Sequence, residues 1–419
     1  MAAFETHRRA VITGIGPITC IGIGKEDFWS GILAERSGVS LITGFDTSQF
    51  HAHCGGEIRE WDGGAFFPPK RIKRLDRYAQ FAVASAIMAL EDAGLPWSRE
   101  KPRADIGLSF GTALGGIANA EAEHIRFLKK GARGVNQTLA LQVFGGSAHA
   151  NIAIECGFRG VGITNSNSCA SGTVAVGEAL RYIRDGMAEV MIAGAAEAPL
   201  SPLTFGSFDF IKTMSRWPGD PALACRPFDR KRDGFVMGEG GASLVIEELE
   251  HARRRGAHIY AEVLGYALNN EAYHMTTPMP GGEAVLKCMK DALRDACVEP
   301  EQIDYINAHA SSTQLNDANE SMCIRAAFGG HADGLAVSGT KAYTAHPLGA
   351  TGAIEAALCA LAMDRGQIPP TLNWQEPDPA CPLDVVPNHV RPQRLNYVMS
   401  NAFGFGGINS CVVLGRVAD

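Results

Sequence analysis

The chain has 419 residues, 46% of them hydrophobic and 20% charged, with 48 glycines and 21 prolines, a balance that excludes disorder, collagen and fibrous repeats. At roughly 100 to 200 residues per domain, the length suggests two or three domains or one large duplicated α/β unit. A formal charge of −7 argues against wholesale binding to nucleic acid or to an anionic membrane and leaves room only for a local basic patch; no apolar run reaches the roughly 18 residues of a spanning helix.

At the start of the chain, Arg8-Arg9 precede a mostly apolar run, residues 10–24, with the outline of a secretory leader. The run carries Gly14, Gly16, Gly22, Gly24 and Pro17 and lacks a small-x-small cleavage site, so it reads as a strand entering a glycine turn, and a cytoplasmic protein is expected. Gly14-Ile15-Gly16 begins a dinucleotide fingerprint, but Thr19 stands where the third glycine is needed, which leaves an NAD-dependent oxidoreductase a remote alternative. His51, His53 and Cys54 supply too few ligands for a metal. The 11 cysteines are an odd number without a Cys-x-x-Cys pair, the usage of reduced thiols.

Further along, short β-rich runs alternate with helical ones. Strands are expected at residues 105–111, 161–165, 190–194 and 242–247, then at 261–266, 304–308, 334–338, 397–401 and 410–414, with amphipathic helices at 282–296 and 351–365. Such alternation predicts sheets buried between helices. The strands fall into two comparable sets on either side of about residue 250, although no repeat appears at the level of residue identity. Residues 170–184 form a helix apolar or small on nearly every face, the pattern of a buried helix. Its interior Gly172 and Gly177 suggest close approach by another backbone.

Immediately before that helix stands Asn167-Ser168-Cys169-Ala170-Ser171-Gly172. A cysteine at a helix N-terminus meets unsatisfied amides and the positive dipole end, which predicts a lowered thiol pKa and a nucleophile. Two histidines follow strand ends: His309 in Asn307-Ala308-His309-Ala310-Ser311-Ser312-Thr313 and His346 in Lys341-Ala342-Tyr343-Thr344-Ala345-His346-Pro347-Leu348-Gly349. Loops beyond strand ends are where α/β proteins place chemistry.

These motifs occur together with Arg226-Pro227-Phe228-Asp229, with the segment 233–240 (DGFVMGEG), with Ala272-Tyr273-His274-Met275-Thr276 and with Asn401-Ala402-Phe403-Gly404-Phe405-Gly406-Gly407. In this order, nearly end to end, they make the chain resemble an elongating β-ketoacyl-[acyl carrier protein] synthase of the thiolase-like condensing enzymes. The resemblance implies a five-layered αβαβα fold of two duplicated halves, here 1–250 with Cys169 and 251–419 with His309, Lys341, His346 and Phe403, and a dimer. It implies that Cys169 takes an acyl group and that His309 and His346 bind the malonyl thioester carbonyl during loss of carbon dioxide. The amides of Cys169 and Phe403 would form an oxyanion hole, and Phe403 would be the gate. Lys341, Glu320 and Asp317 would form a buried supporting network, with Glu320 the preferred partner of Lys341. Substrate contacts fall to Leu114, Thr276, Ser311, Thr313 and Phe405.

No cofactor or metal is implied, since the substrates arrive on the phosphopantetheine of an acidic carrier protein. Its docking surface is sought in Lys70, Arg71, Lys73, Arg74 and Arg77, with Arg216 and Lys129-Lys130 as further cations. The chain departs from the family pattern at Ala310 and Ala345, where glycine is usual and where the methyls are expected to tighten the site floor, and in the segment 137–147 (QTLALQVFGGS). Fatty-acid elongation is the first choice. A polyketide or polyene ketosynthase paired with a chain-length subunit is the second, so the dimer is a homodimer or a heterodimer.

Overall fold

The structure, a computed structural model, describes residues 8–417. The first set of elements comprises β1 (Ala10–Thr19), α1 (Arg77–Asp92), β2 (Ile106–Gly111), α2 (Ser147–Cys156), β3 (Gly162–Asn165), α3 (Ser171–Arg184), β4 (Val190–Glu197) and β5 (Gly240–Glu248). The second comprises β6 (Ala261–Asn270), α4 (Glu283–Ala296), β7 (Tyr305–Asn307), α5 (Gln314–Phe328), β8 (Ala336–Ser338), α6 (Thr351–Arg365), β9 (Tyr397–Gly404) and β10 (Ile408–Gly415).

The first five strands lie in the order β3-β2-β4-β5-β1 and the second five in the order β8-β7-β9-β10-β6. β2 runs parallel to β3 and β4, and β7 parallel to β8 and β9; the pairs β4–β5, β5–β1, β9–β10 and β10–β6 are antiparallel. One topology is thus written twice, a duplication that identity between the halves does not reveal. Residues 10–12 of β1 pair with 261–263 of β6, joining the two sheets at one edge.

α1 and α2 cover the outer face of the first sheet, α4 and α5 that of the second, and α3 and α6 pack on each other between the sheets. This is the five-layered thiolase-like αβαβα arrangement. The central pair explains the two unusual sequences. Every residue from Thr351 to Met363 is buried, as a helix between two sheets must be. A Cβ on Gly172 would stand 2.3 Å from the amide nitrogen of Ala353, so the glycine lets the two central helices touch backbone to backbone. Gly177 instead makes room for the Tyr266 ring.

The glycine turn expected after residue 14 is absent. β1 continues to Thr19 with an irregular register between Ile12 and Gly14. Gly14 and Gly16 serve packing, since a Cβ on either would lie 2.1 Å from a carbonyl oxygen of α1. Pairing with β5 keeps the run extended, which turn chemistry read locally does not foresee. All 11 cysteines are free thiols, and no described helix is long and apolar enough to cross a membrane.

Candidate active site

β3 delivers the chain to a single 3₁₀ turn, Ser168–Ala170, that leads into α3. Ser168 sits at φ 50°, a left-handed conformation unfavourable for a residue with a Cβ. It presents Cys169 at the mouth of the buried helix, 8% exposed. The second half repeats the device at Leu348–Ala350 ahead of α6, with Leu348 at φ 40°, and there the position matching Cys169 is Gly349.

Contrary to the helix-terminus expectation, the Cys169 thiol is pushed up to about 11, because burial outweighs the backbone N–H of Phe405 and the charge of Lys341, both of which pull the other way. The resting group is a neutral thiol, so it needs a base. His346 supplies one: its Nε2 lies 3.2 Å from Cys169 Sγ, while its Nδ1 lies 2.8 Å from Thr351 Oγ1. The His346 backbone is pinned to the first half, donating to the Val236 carbonyl at 2.8 Å and accepting from Gly238 at 3.0 Å. This is why a Phe-Val-Met-Gly stretch more than 100 residues away belongs to the histidine's loop.

His309 follows β7, its ring centroid 5.4 Å from that of His346. Burial, reinforced by the positive charge of Lys341, holds both histidines well below the usual imidazole range. Two neutral imidazoles therefore face one thiol, each able to offer an N–H or a lone pair but not a resident charge.

The carboxylate network differs from expectation. Lys341 Nζ reaches Glu355 Oε1 at 2.7 Å and also donates to the His309 carbonyl. Lys341 and Glu355 are 1% and 3% exposed. Glu320, expected as the partner, instead accepts the amides of His309 and Ala310, both at 2.8 Å, with Asn401 at 3.2 Å. Its two oxygens are committed to shaping the histidine loop, so the ammonium turns to the central helix. Asp317 accepts the amide of Phe228 at 2.9 Å and stands 3.8 Å from Arg232, which ties the Arg226 to Asp229 segment to α5. Glu355 escaped the sequence reading, although a single charged residue in a 13-residue buried stretch was a usable signal.

Phe403 and Phe405 occupy different places in the β9–β10 hairpin. Phe403 is paired in β9 opposite Asn409 and packs against His309 at 5.8 Å between ring centroids. Phe405 lies in the turn beyond, followed by Gly406 and Gly407 at φ 85° and 69°. It is the Phe405 N–H that addresses the Cys169 sulfur, and its ring stacks on Phe208 at 6.1 Å.

A cavity of about 380 Å³ opens on this group, lined by Cys169, His309, His346, Phe403 and Phe405 and, among the other expected residues, by Leu114, Thr276, Ser311 and Thr313. Lys341, Glu320 and Asp317 lie behind its wall. Ser311 and Thr313 hydroxyls are 2.9 Å apart, and Thr313 also caps α5. Thr276 and Lys212 are both exposed residues lining the cavity, and Lys212 is a cation the sequence reading missed.

The basic run 70–77 is divided by the fold. Arg71 is held by Glu155 at 3.1 Å and Asn151 at 2.9 Å; Arg77 makes a two-pronged pair with Glu239 at 2.8 and 2.7 Å. Both are paired with carboxylates of the chain itself. Lys70, Lys73 and Arg74 are exposed, with no ion pair among the described residues. Arg216 is exposed but leans on Asp209 at 3.7 Å.

The two alanine departures do not floor the cavity. Ala310 and Ala345 adopt φ 38° and 58°, and both are fully buried. A Cβ on Gly339 would meet the Ala310 methyl at 2.7 Å, and one on Gly56 the Ala345 methyl at 2.8 Å, so each methyl fills space left by a facing glycine. The segment 137–147 holds the short helix Leu139–Val143 and exposes Leu141 and Phe144.

Comparison with known proteins agrees on family and fold. The family described as Beta-ketoacyl synthase, N-terminal domain, matches residues 7–252, and Beta-ketoacyl synthase, C-terminal domain, matches 260–375. The 3-oxoacyl-[acyl-carrier-protein] synthase 2 of Coxiella burnetii is 42% identical over 413 residues, covering 98% of this chain and 99% of the relative. The tetracenomycin polyketide synthase ketoacyl synthase alpha subunit of Streptomyces glaucescens is 43% identical over 418 residues, covering 98% of each. Among solved structures, a type II polyketide ketosynthase in complex with its acyl-carrier protein superposes with a TM-score of 0.91 at 35% identity, over 99% of this chain and 100% of that one. Thus the paired sheets, the cysteine at the central helix and the two histidines facing it are those of a condensing enzyme, and the chain belongs to the beta-ketoacyl synthase family.

Proposed function

We propose that this protein is a 3-oxoacyl-[acyl carrier protein] synthase that joins an acyl group held on Cys169 to the two-carbon unit of malonyl-carrier protein, releasing carbon dioxide. The observation that carries the reading is the 3.2 Å contact of His346 Nε2 with Cys169 Sγ beside the neutral His309. In the first step the thiol proton passes to His346 as sulfur attacks the acyl-carrier thioester, and the departing pantetheine thiolate takes a proton. In the second, N–H groups of His309 and His346 stabilise the enolate oxygen left when the malonyl carboxylate leaves as carbon dioxide. The enolate carbon attacks the acyl-cysteine, and the amides of Cys169 and Phe405 hold the tetrahedral oxygen. Collapse of that intermediate breaks the carbon–sulfur bond and releases Cys169 as a thiolate that takes a proton from His346, which regains one from solvent. Placing neutral donors where charge develops lowers the barrier without reorganisation, and the covalent intermediate divides one hard transfer into two easier ones.

Phosphopantetheine comes with the substrates, so the protein supplies no cofactor. Lys70, Lys73 and Arg74, with Lys212 at the cavity rim, form the surface on which the acidic carrier lands. Residues 1–250 act as the nucleophile-bearing half and 251–419 as the histidine-bearing half, in a cytoplasmic dimer. Fatty-acid elongation is the leading pathway. A polyketide or polyene role beside a chain-length subunit is supported by the near-equal identity to the tetracenomycin subunit and by the likeness to the ishigamide ketosynthase/chain length factor, TM-score 0.91.

The test is intact-mass analysis of the protein alone with medium-chain acyl-carrier and then malonyl-carrier, with Cys169→Ala alongside. Acylation at Cys169 followed by a two-carbon-longer 3-oxoacyl-carrier is expected. Acylation without extension points to the paired-subunit reading, and no acylation overturns the mechanism.

A further inference from the structure

His346 has to play two chemically opposite parts. Toward the free thiol its Nε2 must present a lone pair, and toward the enolate oxygen it must present a hydrogen. A neutral imidazole carries one ring hydrogen, so these are two tautomers, and the group on the other nitrogen decides between them. That group is Thr351: its hydroxyl lies 2.8 Å from Nδ1, and no other hydrogen bond of that hydroxyl is recorded among the described residues. Thr351 is 2% exposed, at the first turn of α6. Its position is fixed by the buried helix, yet the hydroxyl can both donate and accept.

We infer that Thr351 is the positioning residue that lets His346 serve both steps, its hydroxyl accepting from Nδ1–H while Cys169 is a thiol and donating to bare Nδ1 once the cysteine is acylated. Resting on the functional reading above, this goes beyond it by naming the group that satisfies Nδ1 in either tautomer. The proton balance is simple. In acylation, Nε2 gains the thiol proton and passes it to the departing pantetheine thiolate, leaving the Nδ1–H form. Before condensation one proton leaves Nδ1 and one arrives at Nε2 by exchange with solvent, with no net gain, and the hydroxyl turns to follow. Valine in place of Thr351 would hold the ring with the same shape and do neither.

A hydrogen bond to a group that becomes charged in the transition state corresponds to roughly a 10- to 100-fold effect on rate. Thr351→Val is therefore expected to slow both Cys169 acylation and malonyl-carrier decarboxylation by about that factor, with Thr351→Ser restoring most of each. The independent readout is ¹⁵N NMR of histidine-labelled protein. The His346 nitrogens should shift between the free enzyme and a Cys169-alkylated form in wild type and in Thr351→Ser, and should stay in one tautomer in Thr351→Val. Wild-type rates in Thr351→Val, together with the same shift between free and alkylated forms as in wild type, would overturn the inference. So would a slow Thr351→Ser with wild-type shifts, which would mean packing alone. If wild-type protein is never acylated, the functional reading fails, and the NMR comparison still decides the tautomer question.

Discussion

Replacing Glu355 by glutamine tests the buried network most directly. Lys341 and Glu355 are 1% and 3% exposed and 2.7 Å apart, and the carboxyl is pushed up to about 7 by burial against the pull of Lys341. Glutamine preserves the shape and one neutral acceptor but leaves the ammonium without a charged partner. Removing one partner of a buried ion pair costs about 3–5 kcal/mol, because the remaining charge is neither solvated nor paired. The loss should appear as a lower guanidinium midpoint at fixed protein concentration, with the slope unchanged. Lys341→Met combined with Glu355→Leu should recover stability to within about 1 kcal/mol of wild type, since well-packed apolar residues replace such pairs at little cost. Condensation should not recover, as the His309 carbonyl has lost its donor. A Glu355→Gln protein as stable as wild type within about 1 kcal/mol would refute the pairing argument.

Stability should also fall in acid through the two histidines. The unfolded chain binds a proton at each near pH 6.5 and the folded one only well below that, so stability is full above pH 6.5 and declines by about 1.4 kcal/mol per pH unit per histidine beneath it. Unfolding at pH 7.5, 6.5 and 5.5 should be flatter for His309→Asn with His346→Asn, and equal slopes would count against burial of neutral rings. Alkylation of Cys169 by iodoacetamide should keep accelerating beyond pH 9, because the thiol titrates near 11; a plateau near pH 7 would mean a resident thiolate. Leu114→Phe, which narrows the cavity beside the nucleophile, should lower acylation by long-chain acyl-carrier by roughly tenfold or more while sparing acetyl-carrier; equal losses for both would show that Leu114 does not meet the chain. Reversing Lys70, Lys73 and Arg74 to glutamate should depress kcat/KM for carrier-borne substrates at low salt and leave free pantetheine thioesters unaffected. Kinetics that ignore both the charge and the salt would relocate the docking face.

The sequence alone was enough for what is encoded locally. The period and breakers of each segment placed the strands at 261–270 and 397–404 and the central helices 171–184 and 351–365 within a few residues, because side-chain alternation and all-round apolarity are properties of a short window. The Cys169, His309 and His346 motifs were legible for the same reason. Contacts between distant segments were not. Glu355 rather than Glu320 meets Lys341, Phe405 rather than Phe403 turns its amide to the sulfur, Arg71 and Arg77 are spent on Glu155 and Glu239, and Gly14 and Gly16 admit a helix instead of forming a turn. Nothing in a window of residues says which carboxylate will face a buried ammonium or how much water a thiol will lose. Those depend on the layering of two sheets around one helix pair, where long-range packing fixes partners and desolvation outweighs the helix terminus in setting the charge state of Cys169.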